Sequence, residues 1–176
     1  MIRRFYKDVT VAAVAGGWQV MLDARGVKTV GGAPQVLPTE SLGNALAAEW
    51  RQQGDTIDPA SLSLRDMADY AIDIVAADPH AVARGLVAYA ETDTLCYRAD
   101  PDEPLYERQQ AEWEPLLCAF EAANGITLVR VSGVLHKAQP AETMERLRAR
   151  LETLDPFALA GVNSMAALAA TLTTAP

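Results

Sequence analysis

Hydrophobic positions in the first part of the chain follow a strand-like pattern. The short apolar runs "VTVAAV" and "WQVML" are separated by "AGG", and "DARG" and "GGAP" follow them. Such glycine-rich breaks between apolar runs are typical of tight turns between strands. The stretch "LDARGVKTV" predicts a hairpin with its turn at residues 23–26 and a returning strand at residues 27–30. We therefore expect a small antiparallel sheet over residues 9–36.

After Pro38 the apolar period changes from two to about 3.6, which indicates helices. Thr39 is the expected N-cap of a first helix that places Leu42, Leu46 and Trp50 on one face. Ser63 and Asp66 have the spacing of a capping box for a second helix. Its expected core stripe comprises Leu64, Met67, Ala68, Ala71, Ile72 and Val75.

The pattern in the second half is mainly helical with one interruption. Asp78 precedes a proline and is the expected cap of a third helix. Residues 92–98 alternate in polarity, which predicts a strand. A long helix is expected from Pro104, with Pro115 forcing a kink or a restart because proline lacks an amide donor. Its expected packed side comprises Leu105, Gln109, Trp113, Leu116, Leu117 and Phe120.

The rest of the chain completes this picture. The pair Asn124-Gly125 ends the long helix, "ITLVRVSGVL" predicts a strand or extended link, and Pro140 and Asp155-Pro156 open two final helices. The predicted fold is α+β. Residues 1–62 form a small N-terminal antiparallel sheet domain with a helix, and residues 63–176 form a helical bundle domain.

Charge and hydropathy argue against nucleic-acid binding and membrane insertion. The chain has 23 acidic and 15 basic residues, a formal charge of -8, which repels phosphate backbones and anionic lipid surfaces. We expect no nucleic-acid partner. A polar, strand-like segment follows "MIRRFYKDVT" where a signal peptide would have a long apolar region, so we expect no export signal. The segment "MAALAATL" is far shorter than the about 20 residues that cross a bilayer. We expect a cytoplasmic protein without membrane insertion.

Residues able to carry out catalysis are few. Cys96 and Cys118 have no paired spacing, and neither His80 nor His136 has a second ligand at metal-binding spacing on its helix. A catalytic couple of Cys96 with either histidine is available only if the fold assembles it. The paired glycines match neither a dinucleotide fingerprint nor a phosphate-binding loop. We expect no cofactor, no metal and no enzymatic activity.

Several ordered stretches carry a family resemblance. They are "RRFYKDVTV", "WQVMLDARGVKT", "VLPTESLGNALAAEWRQQGDTIDP", "TDTLCYRADPDEPLYERQQAEWEPLL" and "GVLHKAQP". Together they resemble assembly chaperones of F-type ATP synthase, found in mitochondria and some bacteria, which act on the alpha subunit of the catalytic head. The most specific positions are Thr92, Asp93, Cys96, Tyr97, Arg98, Leu105, Arg108, Gln109, Trp113 and Pro115.

The resemblance implies a non-enzymatic function, in which unassembled alpha subunit is held until beta subunits replace it. It also implies a small sheet-containing domain joined to an orthogonal helical domain, and we expect a monomer. The segment "SLSLRDMADYAID" departs from the family pattern. Family members continue into further helices with acidic residues, so the chain is expected to be shortened at its C-terminus.

Two roles remain open for the motif residues. Asp93, Arg98 and Arg108 suit charge-assisted bonds that tie the segment after Thr92 to the long helix, with Trp113 packing beneath. Alternatively, Asp93, Arg98, Arg108, Gln109 and Trp113 contact the client directly, since Trp and Arg are enriched at interface hot spots.

Two other functions also remain open. One is a small cytoplasmic hydrolase or transferase that uses Cys96 or a carboxylate pair. The other is a permanent subunit of a stable complex, without chaperone turnover.

Overall fold

The computed structural model describes residues 2–133 and 135–173. The chain divides into two compact units, an N-terminal unit that ends at Ala77 and a C-terminal unit that begins at Asp78. The strands form small, mainly antiparallel sheets and not one parallel sheet covered by helices, so the fold is α+β, as predicted.

The N-terminal unit contains two small antiparallel sheets. One has three strands in the order β2-β3-β4, and the other pairs β1 with β5. A 3-10 turn spans Pro59–Ser61 and a π-helical turn spans Ala71–Val75. The elements are β1 (Ile2–Arg3), β2 (Val9–Val14), β3 (Gly17–Leu22), β4 (Arg25–Gly26), α1 (Glu40–Arg51), β5 (Thr56–Ile57) and α2 (Ser63–Tyr70).

The hairpin turn after β3 is tighter than predicted. Leu22 pairs directly with Arg25, so only Asp23 and Ala24 form the turn. Asp23 adopts a φ of 53°, a conformation that aspartate tolerates better than most residues. Its carboxylate accepts the backbone N–H groups of Lys7 and Asp8, which fixes the turn against the start of β2.

Helix α1 packs on this sheet as its sequence predicts. The Thr39 hydroxyl accepts the Leu42 N–H at 3.2 Å, which confirms the expected cap. Leu46 and Trp50 are buried. A Cβ atom at Gly43 would lie 2.9 Å from a Val11 methyl carbon, so glycine is what allows α1 to lie this close to β2.

Helix α2 differs from its prediction in two respects. The Ser63–Asp66 capping box is wrong, because the Glu49 carboxylate of α1 accepts the N–H groups of Leu64 and Arg65. Met67 is wrong as a core residue, since its exposed fraction is 36%. The buried residues of α2 are Ala68 and Asp69, and at about 100° per residue Met67 lies at the rim of the face that they define.

Helix α2 belongs to the N-terminal unit, so the division falls after it and not near residue 62. Its Asp69 accepts the Val30 N–H, and Asp73 in the following turn accepts the Thr29 hydroxyl and the Gly31 N–H. These bonds join α2 to the loop after β4, and apolar periodicity alone contains no sign of them.

The C-terminal unit is mostly helical. Helix α3 packs on α5 and α6, α4 packs on α5, and β6 and β7 form a parallel pair. The Asp78 carboxylate caps α3 as predicted. The elements are α3 (Pro79–Glu91), β6 (Tyr97–Arg98), α4 (Pro104–Asn124), β7 (Val131–Ser132), α5 (Ala141–Leu151) and α6 (Pro156–Ala169).

One prediction for this unit is wrong in detail, and one of two alternatives is excluded. Thr94–Cys96 is a 3-10 turn and not part of a strand, because the Asp93 carboxylate accepts the Leu95 N–H and closes the turn. Helix α4 continues through Pro115 without a restart. It ends at Asn124, and Gly125 follows with a φ of 62°, as the Asn-Gly pair predicts.

Candidate partner-binding site

The Asp93 carboxylate is the most densely hydrogen-bonded of the predicted site groups. Only 1% of the residue is exposed. Besides Leu95, its donors are the Thr171 hydroxyl, the Leu172 and Thr173 N–H groups, and the Thr173 hydroxyl, at 2.6 to 3.2 Å. Asp93 therefore fixes the segment after α6 and does not tie residues 93–98 to α4.

Arg98 has the role that the sequence suggested. It is 4% exposed, and its Nη2 donates to Glu114 of α4 at 3.0 Å. Its Nε donates to Gln110, and its guanidinium carbon lies 5.3 Å from the centre of the Trp113 ring, within cation–π range. The interpretation that Arg98 ties this segment to α4 with Trp113 beside it is confirmed.

Gln109 and Arg108 are neighbours on α4 with opposite environments. Gln109 is buried, and its side-chain oxygen accepts the Ala99 N–H at 2.7 Å. Arg108 is exposed and pairs with Glu112 on its own helix at 2.9 Å. Arg108 therefore does not tie the extended segment to the helix, and of the motif's charged residues it is the one open to a partner.

Arg130 joins Arg98 and Glu114 in an ion network that the sequence analysis missed. Its guanidinium donates to Glu114 at 2.7 Å and to Glu121. The Arg130 bonds, reinforced by Arg98, hold the pKa of Glu114 below its usual value although burial opposes them. The pKa of Glu121 is also below its usual value. Burial raises this pKa, but the bonds from Arg130 and the Leu128 N–H lower it by more. A lone arginine in the apolar run "ITLVRVSGVL" was the available signal, since buried cations need partners.

The geometry gives little support to the alternative of a hydrolase or transferase that uses Cys96. Cys96 is fully buried, and burial, with the nearby Asp93 charge, raises its pKa to about 11. A thiol of this kind stays protonated at neutral pH and is a poor nucleophile. His80 lies 3.2 Å from Glu152, and His136 lies 3.2 Å from the Tyr97 hydroxyl. In residues 2–133 and 135–173 no cluster of three potential metal ligands occurs.

One side of α4 presents apolar and charged residues to solvent. Leu105 and Leu116 are 52% and 47% exposed and lie about three turns apart. The Arg108–Glu112 pair lies between them. The prediction that Leu105 and Leu116 face the core is wrong, whereas Leu117 is fully buried. We call Leu105, Arg108, Glu112 and Leu116 the α4 outer face.

A separate cavity of about 300 Å³ lies within the C-terminal unit. Apolar side chains of α4, α5 and α6 form most of its wall, and Leu172 and Thr173 complete it. Asp93 therefore positions one wall of this cavity through its bonds to the same segment. The main lining residues are Phe120, Leu147, Arg150, Leu151, Leu154 and Val162.

The sequence matches the model of a family of chaperones. Residues 3–121, more than half of the chain, match the model of the ATP12 chaperone protein. The chain belongs to the ATP12 chaperone family.

Individual relatives agree with this assignment. The mitochondrial protein atp12 of Schizosaccharomyces pombe is 29% identical over 171 residues, which span 90% of this chain. The crystal structure of Atp12 from Paracoccus denitrificans is 37% identical, with a TM-score of 0.92 over 98% of this chain and 74% of that chain. A crystal structure from Agrobacterium tumefaciens is 35% identical, with a TM-score of 0.91 over 98% of this chain and 65% of that one.

The chain spans 58% of the length of the S. pombe relative. Within the described residues, no helix is both long and apolar enough to span a membrane.

Proposed function

We propose that this chain is a chaperone that binds the unassembled alpha subunit of F-type ATP synthase and keeps it from aggregating until beta subunits replace it. The single observation that carries the proposal is membership of the ATP12 chaperone family over residues 3–121. The Atp12 structure from P. denitrificans, similar across nearly the whole chain, supports it.

The α4 outer face has the chemistry that this task requires. An alpha subunit without its neighbour exposes an apolar surface with a polar rim, and such surfaces aggregate unless they are covered. Two exposed leucines on either side of an ion pair offer weak apolar contact without a deep anchor. A shallow contact of this kind should dissociate quickly, because related complexes differ in affinity mainly through their dissociation rates.

Charge supports the same assignment. The C-terminal unit, residues 78–176, contains 14 acidic and 8 basic residues, a formal charge of -6, whereas residues 1–77 contain 9 and 7, a charge of -2. Such a field speeds encounter with a basic surface. We propose that the client presents basic side chains around the apolar patch, and that Arg108 and Trp113 lie at or near this contact.

Light scattering of dilute isolated alpha subunit tests the function. Added in stoichiometric excess and without ATP, this chain should suppress the rise in scattering. Association should slow as salt rises, because the field is screened. Excess beta subunit should then displace the chain from alpha subunit.

The contact surface is tested with matched variants. Leu105→Ser combined with Leu116→Ser should weaken suppression of aggregation several-fold, and Arg108→Glu should change the salt dependence of association. Leu168→Ser is the control, since Leu168 is a leucine in α6 that is 90% exposed. Equal activity of all variants would reject the α4 outer face as the contact, without rejecting the function.

The remaining outcomes separate the alternatives. Unchanged scattering with the unmodified chain would contradict the chaperone proposal itself. Stable association that beta subunit cannot displace would favour a permanent subunit. Pull-down from native cell extract identifies the partner independently.

A further inference from the structure

A groove in the N-terminal unit lies beside the short edge strand β4. Its volume is about 260 Å³, and an adjoining cavity shares Phe5, Leu22 and Arg25 with it. We call the site formed by Phe5, Leu22, Arg25, Lys28 and Trp50 the Phe5 groove.

Apolar side chains form a fixed floor. Leu22 is buried in the sheet, and Trp50 is 7% exposed. Tyr6 packs edge-on against Trp50, and its hydroxyl donates to the Trp50 carbonyl at 2.7 Å. Phe5 packs edge-on against Tyr6 but is 60% exposed, so an aromatic ring stands at the wall of a preformed site.

Cations at the groove are not held in ion pairs. Arg25 and Lys28 are exposed, and neither forms an ion pair within the described chain. The nearby Asp23 attracts Arg25 at longer range, and its Oδ1 accepts the backbone N–H groups of Lys7 and Asp8. The groove therefore has positive charge available although the whole chain carries -8.

Arg65 also lines the groove, but its guanidinium pairs with Asp66 and Asp69. Its charge is therefore already balanced, and Arg25 and Lys28 are the cations that an acidic ligand in the groove would meet.

We propose that the Phe5 groove binds an acidic peptide segment of a partner protein, with one bulky apolar side chain of that segment against Phe5, Leu22 and Trp50. Carboxylates on either side of that side chain pair with Arg25 and Lys28. This site lies in a different unit from the α4 outer face, and the proposal goes beyond the proposed function.

A peptide fits these features better than a nucleic acid. The groove offers two free cations and an apolar floor, whereas nucleic-acid sites depend on many phosphate contacts. The acidic remainder of the chain also repels a long polyanion. Carboxylates spaced along a short segment meet the local positive charge without extending across that surface.

Fluorescence anisotropy of the full chain tests the proposal. The probe is a short fluorescein-labelled peptide with glutamates on both sides of a central leucine. It should bind, and the same peptide with glutamines or with serine in place of leucine should bind at least about ten-fold more weakly.

Variants locate the site. Arg25→Glu combined with Lys28→Glu should weaken binding by about ten-fold or more, and Phe5→Ser should weaken it less. Arg84→Glu is the matched control, because Arg84 is exposed in the other unit. Thermal melting checks that each variant is folded, and Phe5→Ser should melt normally because Phe5 is mostly exposed.

Each outcome decides the question. Loss of binding confined to the groove variants supports the site. Absence of binding by the unmodified chain at millimolar peptide, or equal binding by groove and control variants, overturns it. An oligonucleotide of equal charge that binds as tightly as the peptide overturns the assignment of a peptide ligand.

Discussion

In the N-terminal unit, Asp69 and Asp73 share the task of holding the loop after β4. In the C-terminal unit, the Asp93 carboxylate holds a segment that begins 78 residues further along the chain, and the neighbouring Thr94 adds a bond to the Ala170 carbonyl. Asp69 also accepts from Gln35 and pairs with Arg65, so a cation balances its charge. The described donors to Asp93 are all neutral hydroxyl and N–H groups.

The two units therefore differ in how strongly each depends on one residue. A clamp that is distributed over two carboxylates and an arginine leaves some partners paired when one member is removed. A clamp built on one buried carboxylate leaves most of its donors without an acceptor; among the donors to Asp93, the Thr173 N–H keeps a bond to the Thr171 hydroxyl oxygen. Since an unsatisfied buried donor costs more than a hydrogen bond gains, the second arrangement is the more vulnerable one.

The largest effect is therefore expected for Asp93→Ala. It should lower the free energy of unfolding by about 3 to 5 kcal/mol, because several buried donors lose their acceptor at once. Urea denaturation measures the change, and limited proteolysis should show faster cleavage near residues 171–173. Asp155→Ala, which removes an exposed cap of α6, is the control and should cost about 1 kcal/mol. Equal losses in the two variants would refute the single-residue clamp.

A smaller effect is expected for Asp69→Asn, about 2 kcal/mol, because Asp73 keeps its bonds to the loop and asparagine keeps one acceptor oxygen. A double-mutant cycle with Arg65→Met, followed by urea denaturation, should reveal coupling between the two residues. Additive losses would show that Arg65 does not balance the Asp69 charge. A loss as large as that of Asp93→Ala would remove the contrast between the two units.

The smallest effect is expected for Glu114→Gln, about 1 kcal/mol at neutral pH, because solvent screens this partly exposed pair. The folded-state pKa of Glu114 is lower than its ordinary value of 4.5. The stabilisation from its ionised form is therefore present above that value and lost as pH falls through the lower folded-state pKa. Urea denaturation should show the two proteins converging as the pH falls below 4.5. A difference that does not shrink in acid would exclude this charge effect.

Local features of the fold could be predicted from the sequence. The caps Thr39, Asp78 and Asp155 act on backbone groups a few residues away, so the residue types and their spacing were sufficient. The hairpin and the end of α4 at Gly125 follow from turn chemistry of the same short range.

Features that depend on distant partners could not be predicted. The cap of α2 comes from Glu49, on another helix, so the nearby Ser63 was the wrong choice. The same limit applies to Asp93, whose partners follow α6. Met67 shows a different limit, since periodicity identifies a helix face but not where its edge lies.

The candidate site contains one contact that the sequence predicts and one side-chain orientation that it does not. Arg98, Trp113 and Glu114 lie on adjacent elements, and the sequence indicated that Arg98 ties the segment to α4. Arg108 has the same charge, but one residue along a helix turns the side chain by about 100°, here away from Gln109 and into solvent. Client contact by these residues remains a prediction, and the α4 outer face is where we expect it.

The Asp93 clamp also bears on the order of events during synthesis. Its carboxylate leaves the ribosome 78 residues before the Thr171 hydroxyl that it accepts. Until that hydroxyl arrives the carboxylate must stay hydrated, because it has no ionic partner among the described residues. Contacts this distant in sequence are slow to form, so closure of the clamp is a late step in folding. In the N-terminal unit, the bonds from Asp73 to Thr29 and Gly31 join residues that all precede Asp93 in the chain, so they can form before the clamp closes.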